Sequence, residues 1–247
     1  MFRIIKKSKI SNARIGIIQT PHGNLETPIF MPDATRGVIK HLSSSELVEL
    51  GLKCLVANTL HLYLRPGAKL IKRTQGLHKF INWQKPILTD SGGYQVFSLI
   101  YKNGLSGTIN DKGAIFKSPL DGAKLTMTPE LSIKTQFALG ADMMVCFDDC
   151  PPNGYTDEMQ SISVERTIKW AKRCKREYDK QIKLRKNNKT KPLLFAVIQG
   201  GNNLKLREHC SEELIKIGFD GFGFGARHID ESGNFLNQAL KYTAGQI

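Results

Sequence analysis

Ile87-Leu88-Thr89-Asp90-Ser91-Gly92-Gly93-Tyr94-Gln95-Val96-Phe97 sets a short apolar run ahead of one carboxylate, two glycines, a phenol ring and an amide. Pro86 introduces the run, and its length and apolarity predict a buried strand ending at Asp90. Gly92-Gly93 lets the backbone turn sharply or approach a ligand with no Cβ in the way. Tyr94 offers a face for stacking and Gln95 an amide that both donates and accepts. A pocket for a planar, polar ligand is one reading. A strand-end turn whose Asp caps the next helix is the other.

Working outward, the same strand-then-helix rhythm recurs. Residues 14–31 predict a hairpin turning at Pro21-His22-Gly23-Asn24 and leading into a first core strand at Thr27-Pro28-Ile29-Phe30-Met31. Ser43-Ser44-Ser45-Glu46 opens a short helix closed by Gly51. Cys54–Ala57 is a strand whose end carries Asn58, Thr59 and His61, and 66–75 is helical up to Gly76. Residues 101–128 interrupt the rhythm with turn signals at Tyr101-Lys102-Asn103-Gly104, Asn110-Asp111-Lys112-Gly113 and Leu120-Asp121-Gly122, which predict an inserted β-hairpin arm. Thr128-Pro129-Glu130 is a helix start. Met143–Phe147 is a strand ending in Asp148-Asp149, and a basic helix runs over about 161–180. Leu193–Ile198 is a strand ending in Gln199-Gly200-Gly201, Asn203–Ile217 is a helix, 219–225 a glycine-rich strand, and the residues from Asn234 a last helix.

Alternating strands and helices mean βα units and a parallel sheet. Asn58, Asp90, Asp148 and Gln199 each fall just beyond the C-terminal end of a different strand. In a (β/α)8 TIM barrel that face holds the active site. A doubly wound sheet would want a glycine-rich phosphate turn after its first strand, and Met31-Pro32-Asp33-Ala34 is none. The barrel is therefore the expected fold, over a single domain spanning 1–247.

Composition narrows the function classes. Lys and Arg number 36 against 22 Asp and Glu, a net charge of +14, which favours a polyanionic partner such as nucleic acid; a lysine-rich proteome would give the same excess. The basic helix and the lysine-rich run 186–189 behind it are candidates for phosphate contacts or simply a solvated face. No apolar run is long enough to span a bilayer, and Met1–Lys7 lacks a signal-peptide core, so a cytoplasmic protein with no membrane partner is expected. Five scattered cysteines (Cys54, Cys146, Cys150, Cys174, Cys210) argue for reduced thiols, with no Cys/His spacing of a zinc site and hence no metal or cofactor expected in this chain. His22, His41, His78 and His209 show no partner pattern in sequence.

The strand-end residues together make sense as a nucleobase site. Asp148 can accept two N–H bonds from one edge of a guanine-like base while Gln199 donates to its carbonyl. Tyr94 would stack on the ring. Asp90 would lie near the glycosidic bond, whose rupture gives an oxocarbenium-like state that carboxylates stabilise.

Leu88–Phe97 resembles the signature of the tRNA-guanine transglycosylase (queuine tRNA-ribosyltransferase) family, and Phe30–Thr35, Asn58–Gly67, Cys146–Cys150, Val197–Gly201 and Gly218–Gly221 match it in order. The resemblance covers nearly the whole chain. It implies replacement of guanine at the tRNA wobble position by a 7-deazaguanine (preQ1 or queuine), by double displacement, in queuosine biosynthesis. The partners so implied are the tRNA anticodon loop and a guanine- or preQ1-type base. By the same resemblance Asp90 is the general acid/base. Ser91, Gly92, Gly93, Tyr94, Asp148, Gln199 and Ala226 contact the base, and Asn58 and Thr59 hold Asp90. Ala226 stands where the family usually has a glycine, and its N–H survives unless φ must be positive.

About six βα units are countable against the family's eight, so the resemblance implies a barrel truncated at its C-terminal side. The family's nucleophilic aspartate and zinc ligands would then lie beyond Ile247. A homodimer or a complementing C-terminal segment is the expected protein partner. The alternatives are a non-catalytic homologue that binds tRNA or supports a catalytic subunit, and a paralogue acting on DNA or another 7-deazaguanine.

Overall fold

The structure is a computed structural model that describes the chain except residues 103–106, 153, 186–189 and 230–231. The turn expected at Asn103-Gly104 and the run 186–189 lie outside the described residues. In chain order the strands are β1 (Phe2–Lys7), β2 (Arg14–Thr20), β3 (Gly23–Thr27), β4 (Leu55–Ala57), β5 (Ile87–Thr89), β6 (Gly107–Asn110), β7 (Gly113–Lys117), β8 (Lys124–Met127), β9 (Met143–Val145), β10 (Leu193–Ile198) and β11 (Gly221–Phe224). The helices are α1 (Ser44–Glu49), α2 (Thr59–Leu64), α3 (Ala68–Arg73), α4 (Leu77–Phe80), α5 (Gly93–Phe97), α6 (Pro129–Leu139), α7 (Asp157–Leu184), α8 (Leu204–Ile217) and α9 (Asn237–Gly245). This is an α/β chain with parallel strands. No helix among the described residues is long and apolar enough to cross a membrane.

Two compact units divide it: residues 1–90, 134–145 and 180–193 form one, and 91–133, 146–179 and 194–247 the other. In the first, β1, β2 and β3 make an antiparallel sheet. The Phe2 ring lies across Gly16, where a Cβ would sit 2.3 Å from it and would push the ring aside. The sheet ends at Thr27, which corrects the core strand expected over 27–31. Pro28 and Pro32 have no N–H for a ladder, and Phe30 is 80% exposed. Parallel pairing resumes only at an isolated bridge between Asp33 and Val56. Strands β4, β5 and β9 then pair in parallel, Leu55 opposite Ile87 and Leu88 opposite Met143. Leu47, Leu55, Leu62, Ile71, Trp83 and Ile87 pack as one apolar cluster beside them. Ser43 closes a capping box with Glu46 at the start of α1, a device that contributes about 1 kcal/mol.

The second unit holds β10 and β11, parallel with Phe195 opposite Gly221. Val164, Ile168 and Ala171 of α7 pack with Ala196 and Ile198 of β10 and Cys210 and Leu214 of α8. Strands β6, β7 and β8 form a separate antiparallel sheet. Its turns are built on the residues that signalled them: Asn110 Oδ1 accepts from Lys112 N at 2.9 Å, and Asp121 Oδ1 from Ala123 N at 3.2 Å.

The cations of α7 are largely spoken for. Arg166 pairs with Asp149, Lys169 with Asp111, Arg173 with Glu130, Lys172 with Glu213 and Lys175 with Asp179.

Candidate active site

Asp90 sits where β5 ends, its N–H donating to Ala57 O at 3.1 Å across the parallel pair. That register brings it beside the residues that follow β4. Asn58 Nδ2 donates to Asp90 Oδ2 at 2.5 Å and Thr59 N to Asp90 Oδ1 at 2.9 Å, while the Thr59 hydroxyl donates to Asp90 O at 2.6 Å. Asn58 also caps α2, its Oδ1 accepting from His61 N at 2.9 Å. One residue therefore closes a helix and tethers the carboxylate. Asn58 and Thr59 are buried.

The next residue in sequence, Ser91, belongs to the second unit. Its Oγ donates to Asp148 Oδ1 at 2.9 Å and accepts from Gly93 N at 3.0 Å, and Ser132 Oγ donates to Ser91 O at 2.7 Å. Gly92 takes the left-handed conformation (φ 82°), and Gly93 opens α5 so close to Asp148 that a Cβ would lie 2.7 Å from Asp148 O. Both glycines are needed for the fit. Tyr94 follows, 43% exposed, with its ring tilted against Phe97 at 5.9 Å.

Asp148 is buried, and its second oxygen accepts from Gln199 Nε2 at 2.7 Å. With Asp148 ionised the amide must present nitrogen to it, which turns Gln199 Oε1 away; that oxygen is buried and has no partner among the described residues. An orphaned buried acceptor costs about 1–3 kcal/mol. Burial pushes the Asp148 carboxyl up to about 6, against the hydrogen bonds from Ser91 and Gln199, with the Asp149 charge adding to the rise. Gly225 lies over Gln199, with space for no Cβ (2.5 Å to Gln199 Cδ). Ala226 has φ 72°, the left-handed region.

Asp149, the neighbouring carboxylate, turns out of this network. It pairs with Arg166, and Ser163 Oγ donates to its carbonyl at 2.7 Å. The strand-end residues predicted from sequence thus form two networks, Asn58-Thr59-Asp90 in one unit and Ser91-Gly93-Asp148-Gln199 in the other.

Two features escaped sequence reasoning. Arg207 is wholly buried and donates to Gly201 O, Ile198 O and Gly225 O; an arginine on an amphipathic helix carries no signal of this. His22 and His78, read as unpartnered, meet on Asp142. His22 Nδ1 lies 2.8 Å from Asp142 Oδ1 and His78 Nε2 3.0 Å from Oδ2, and the rings stack at 3.7 Å with 18° between their planes. Their three candidate ligand atoms fall within 4.8 Å of one another. Nearly parallel ring planes have no common in-plane point where one metal could meet both nitrogen lone pairs. His78 Nε2 also lies 3.1 Å from Lys85 O, an acceptor that calls for a proton on that nitrogen. The cluster is built as a hydrogen-bonded hub.

The sequence profile described as Queuine tRNA-ribosyltransferase matches residues 8–247. The queuine tRNA-ribosyltransferase of Thermoanaerobacter pseudethanolicus is 43% identical over 242 residues, covering 98% of this chain and 61% of that protein. That of Desulforamulus reducens is 43% identical over 238 residues (96% and 61%), and that of Caldanaerobacter subterraneus subsp. tengcongensis 40% identical over 246 residues (100% and 62%). The chain thus spans about three fifths of the length of these curated relatives. On this likeness, the chain belongs to the queuine tRNA-ribosyltransferase family.

Proposed function

We propose that this chain provides the base-recognition and proton-transfer residues of a tRNA-guanine transglycosylase, which exchanges guanine at the tRNA wobble position for a 7-deazaguanine in queuosine biosynthesis. The observation that carries the proposal is the buried Ser91–Asp148–Gln199 network, which sets a desolvated carboxylate directly beside an amide that donates to it. Guanine presents a ring carbonyl beside two N–H groups. A carboxylate with an adjacent amide is complementary to that edge: Asp148 accepts the N–H pair, and Gln199 offers its second N–H to the carbonyl. The backbone around Gly92 and Gly93 lets a flat ring approach closely, the Ala226 N–H, which meets the Cys150 thiol in the free chain, would exchange that contact for the base, and half-exposed Tyr94 supplies the stacking face.

Asp90 acts as general acid/base in this reading. As a carboxylate nucleophile supplied by the completing part of the assembly bonds ribose C1′, the C1′–base bond breaks and the protonated Asp90 gives its proton to the leaving guanine; the Asp90 carboxylate so formed takes a proton from the incoming base as that base displaces the nucleophile from C1′. Asn58 and Thr59 hold its carboxylate until then. The partners are the tRNA anticodon loop and a guanine- or preQ1-type base, with a homodimer or a complementing segment completing the assembly. We read residues 1–247 as βα units of a (β/α)8 barrel catalytic domain, with 107–127 as the inserted arm, working in the cytoplasm.

Incubating the chain with unmodified tRNA and labelled guanine tests this directly, alone and supplemented with the remaining C-terminal part of a relative. Label entering tRNA, and lost on Asp90→Ala, is the expected result. Exchange at the wild-type rate in Asp90→Ala would remove that residue from the chemistry.

A further inference from the structure

Arg207 is a cation with no exposed surface, and its acceptors among the described residues are all backbone carbonyls. Its Nε donates to Gly201 O at 2.7 Å, one terminal nitrogen to Ile198 O at 3.2 Å and the other to Gly225 O at 3.1 Å, and the guanidinium carbon lies 3.8 Å above the Phe224 ring. Burying a charge costs several kcal/mol unless its donors are satisfied, so the arrangement needs a return.

The three carbonyls are placed tellingly. Ile198, the last residue of β10, and Gly201 in the loop that follows bracket Gln199, and Gly225 immediately precedes Ala226 in the loop after β11. Gly225 N in turn donates to Ile198 O at 2.8 Å. Gly200 takes φ 136°, and a Cβ there would sit 2.7 Å from Arg207 N, so the first loop lies directly on the start of the arginine's own helix turn. Gln199 N is fixed separately by Cys210 Sγ at 3.4 Å, one turn further along α8.

We propose that Arg207 is the positioning residue of the base site: its planar fork locks the two loops together and so fixes the Gln199 amide and the Ala226 N–H for one ligand. The claim rests on the base-site reading given above. A guanidinium can meet three carbonyls in its plane while stacking on a ring; a lysine ammonium, one atom with three donors, can do neither.

The experiment compares the full chain with Arg207→Lys in two measurements. Guanine titration by calorimetry should show at least tenfold weaker binding in the variant. Amide hydrogen exchange should show lost protection at 199–201 and 225–226, with 55–57 and 87–89 unchanged. Equal guanine affinity in wild type and variant would overturn the proposal. Should wild type itself bind no guanine, the base-site reading falls, and exchange still decides the clamp: unchanged loop protection refutes it, loss confined to the two loops upholds it. If Arg207→Lys does not fold, Phe224→Leu removes the stacking face and leaves every acceptor. It should weaken guanine binding at least threefold and loosen the same amides, and equality in both would overturn the claim.

Discussion

Gln199 Nε2 donates to Asp148 Oδ2 at 2.7 Å, and the price of that bond is a buried Gln199 Oε1 with no partner among the described residues. The free site is therefore electrostatically unfinished. Its carboxylate is desolvated, with a carboxyl pushed up to about 6, and its amide is half satisfied.

Asp148→Asn should stabilise the free chain. A carboxyl raised from 3.8 to about 6 binds its proton more tightly folded than unfolded, so its charge erodes stability as pH rises from about 4 to 6 and keeps that penalty at neutral pH. An asparagine carries no charge to bury and can donate to Gln199 Oε1. The midpoint of thermal unfolding at pH 7.5 should rise by roughly 2–8 °C. A fall would show that the charge is compensated by something the network does not contain.

The His22–Asp142–His78 hub should shape stability against pH in the opposite sense. Burial pushes Asp142 up, but hydrogen bonds from His22, His78 and Ile87 N overcome it and hold the carboxyl at about 2. Its contribution is present above 3.8 and lost as pH falls towards 2. The hydrogen bond to Asp142 raises His22 above 6.5, against its partial burial; that contribution is full below 6.5 and lost as pH rises through the raised value. Asp142→Asn should cost about 2–4 kcal/mol in urea unfolding near pH 5.5, and should flatten both flanks of the pH profile. Retained flanks would place the titration elsewhere.

Ala226→Gly relieves a left-handed residue. At φ 72° an alanine gives up about 1 kcal/mol that glycine does not. The substitution should raise the unfolding midpoint slightly while leaving guanine affinity within twofold, because the N–H is kept. Ala226→Val should lower both.

Asn58→Ala removes a helix cap and an Asp90 tether together. A loss of about 1–3 kcal/mol in chemical unfolding is expected, and under the proposed function base exchange should fall further than stability alone explains. An unchanged midpoint would mean that water replaces both bonds.

Much of this was legible in the chain. The 87–89 run, the Ser43–Glu46 box, the 193–198 run and the Asn203 and Gly218 helix ends stand where the local pattern puts them, because each is specified by neighbours within a turn or a strand. The Asp148–Gln199 pairing was legible only as a convergence of strand ends. The strand expected over 27–31 failed because apolarity outvoted two prolines. Strand β1 was missed because its residues are all exposed and match no burial pattern. Asp142 meets partners 120 and 64 residues away (His22 and His78), and Arg207 spends its charge on carbonyls; neither long-range tie leaves a local mark.

The central claim is that Asp148 and Gln199 read a guanine edge, and calorimetric titration of guanine into the purified chain and its Asp148→Asn variant at pH 7.5 tests it most directly. Saturable one-to-one binding is expected, weaker at least tenfold in the variant and weakening in wild type as pH falls through about 6. Binding of equal strength in both proteins, or none in the wild type, would contradict it.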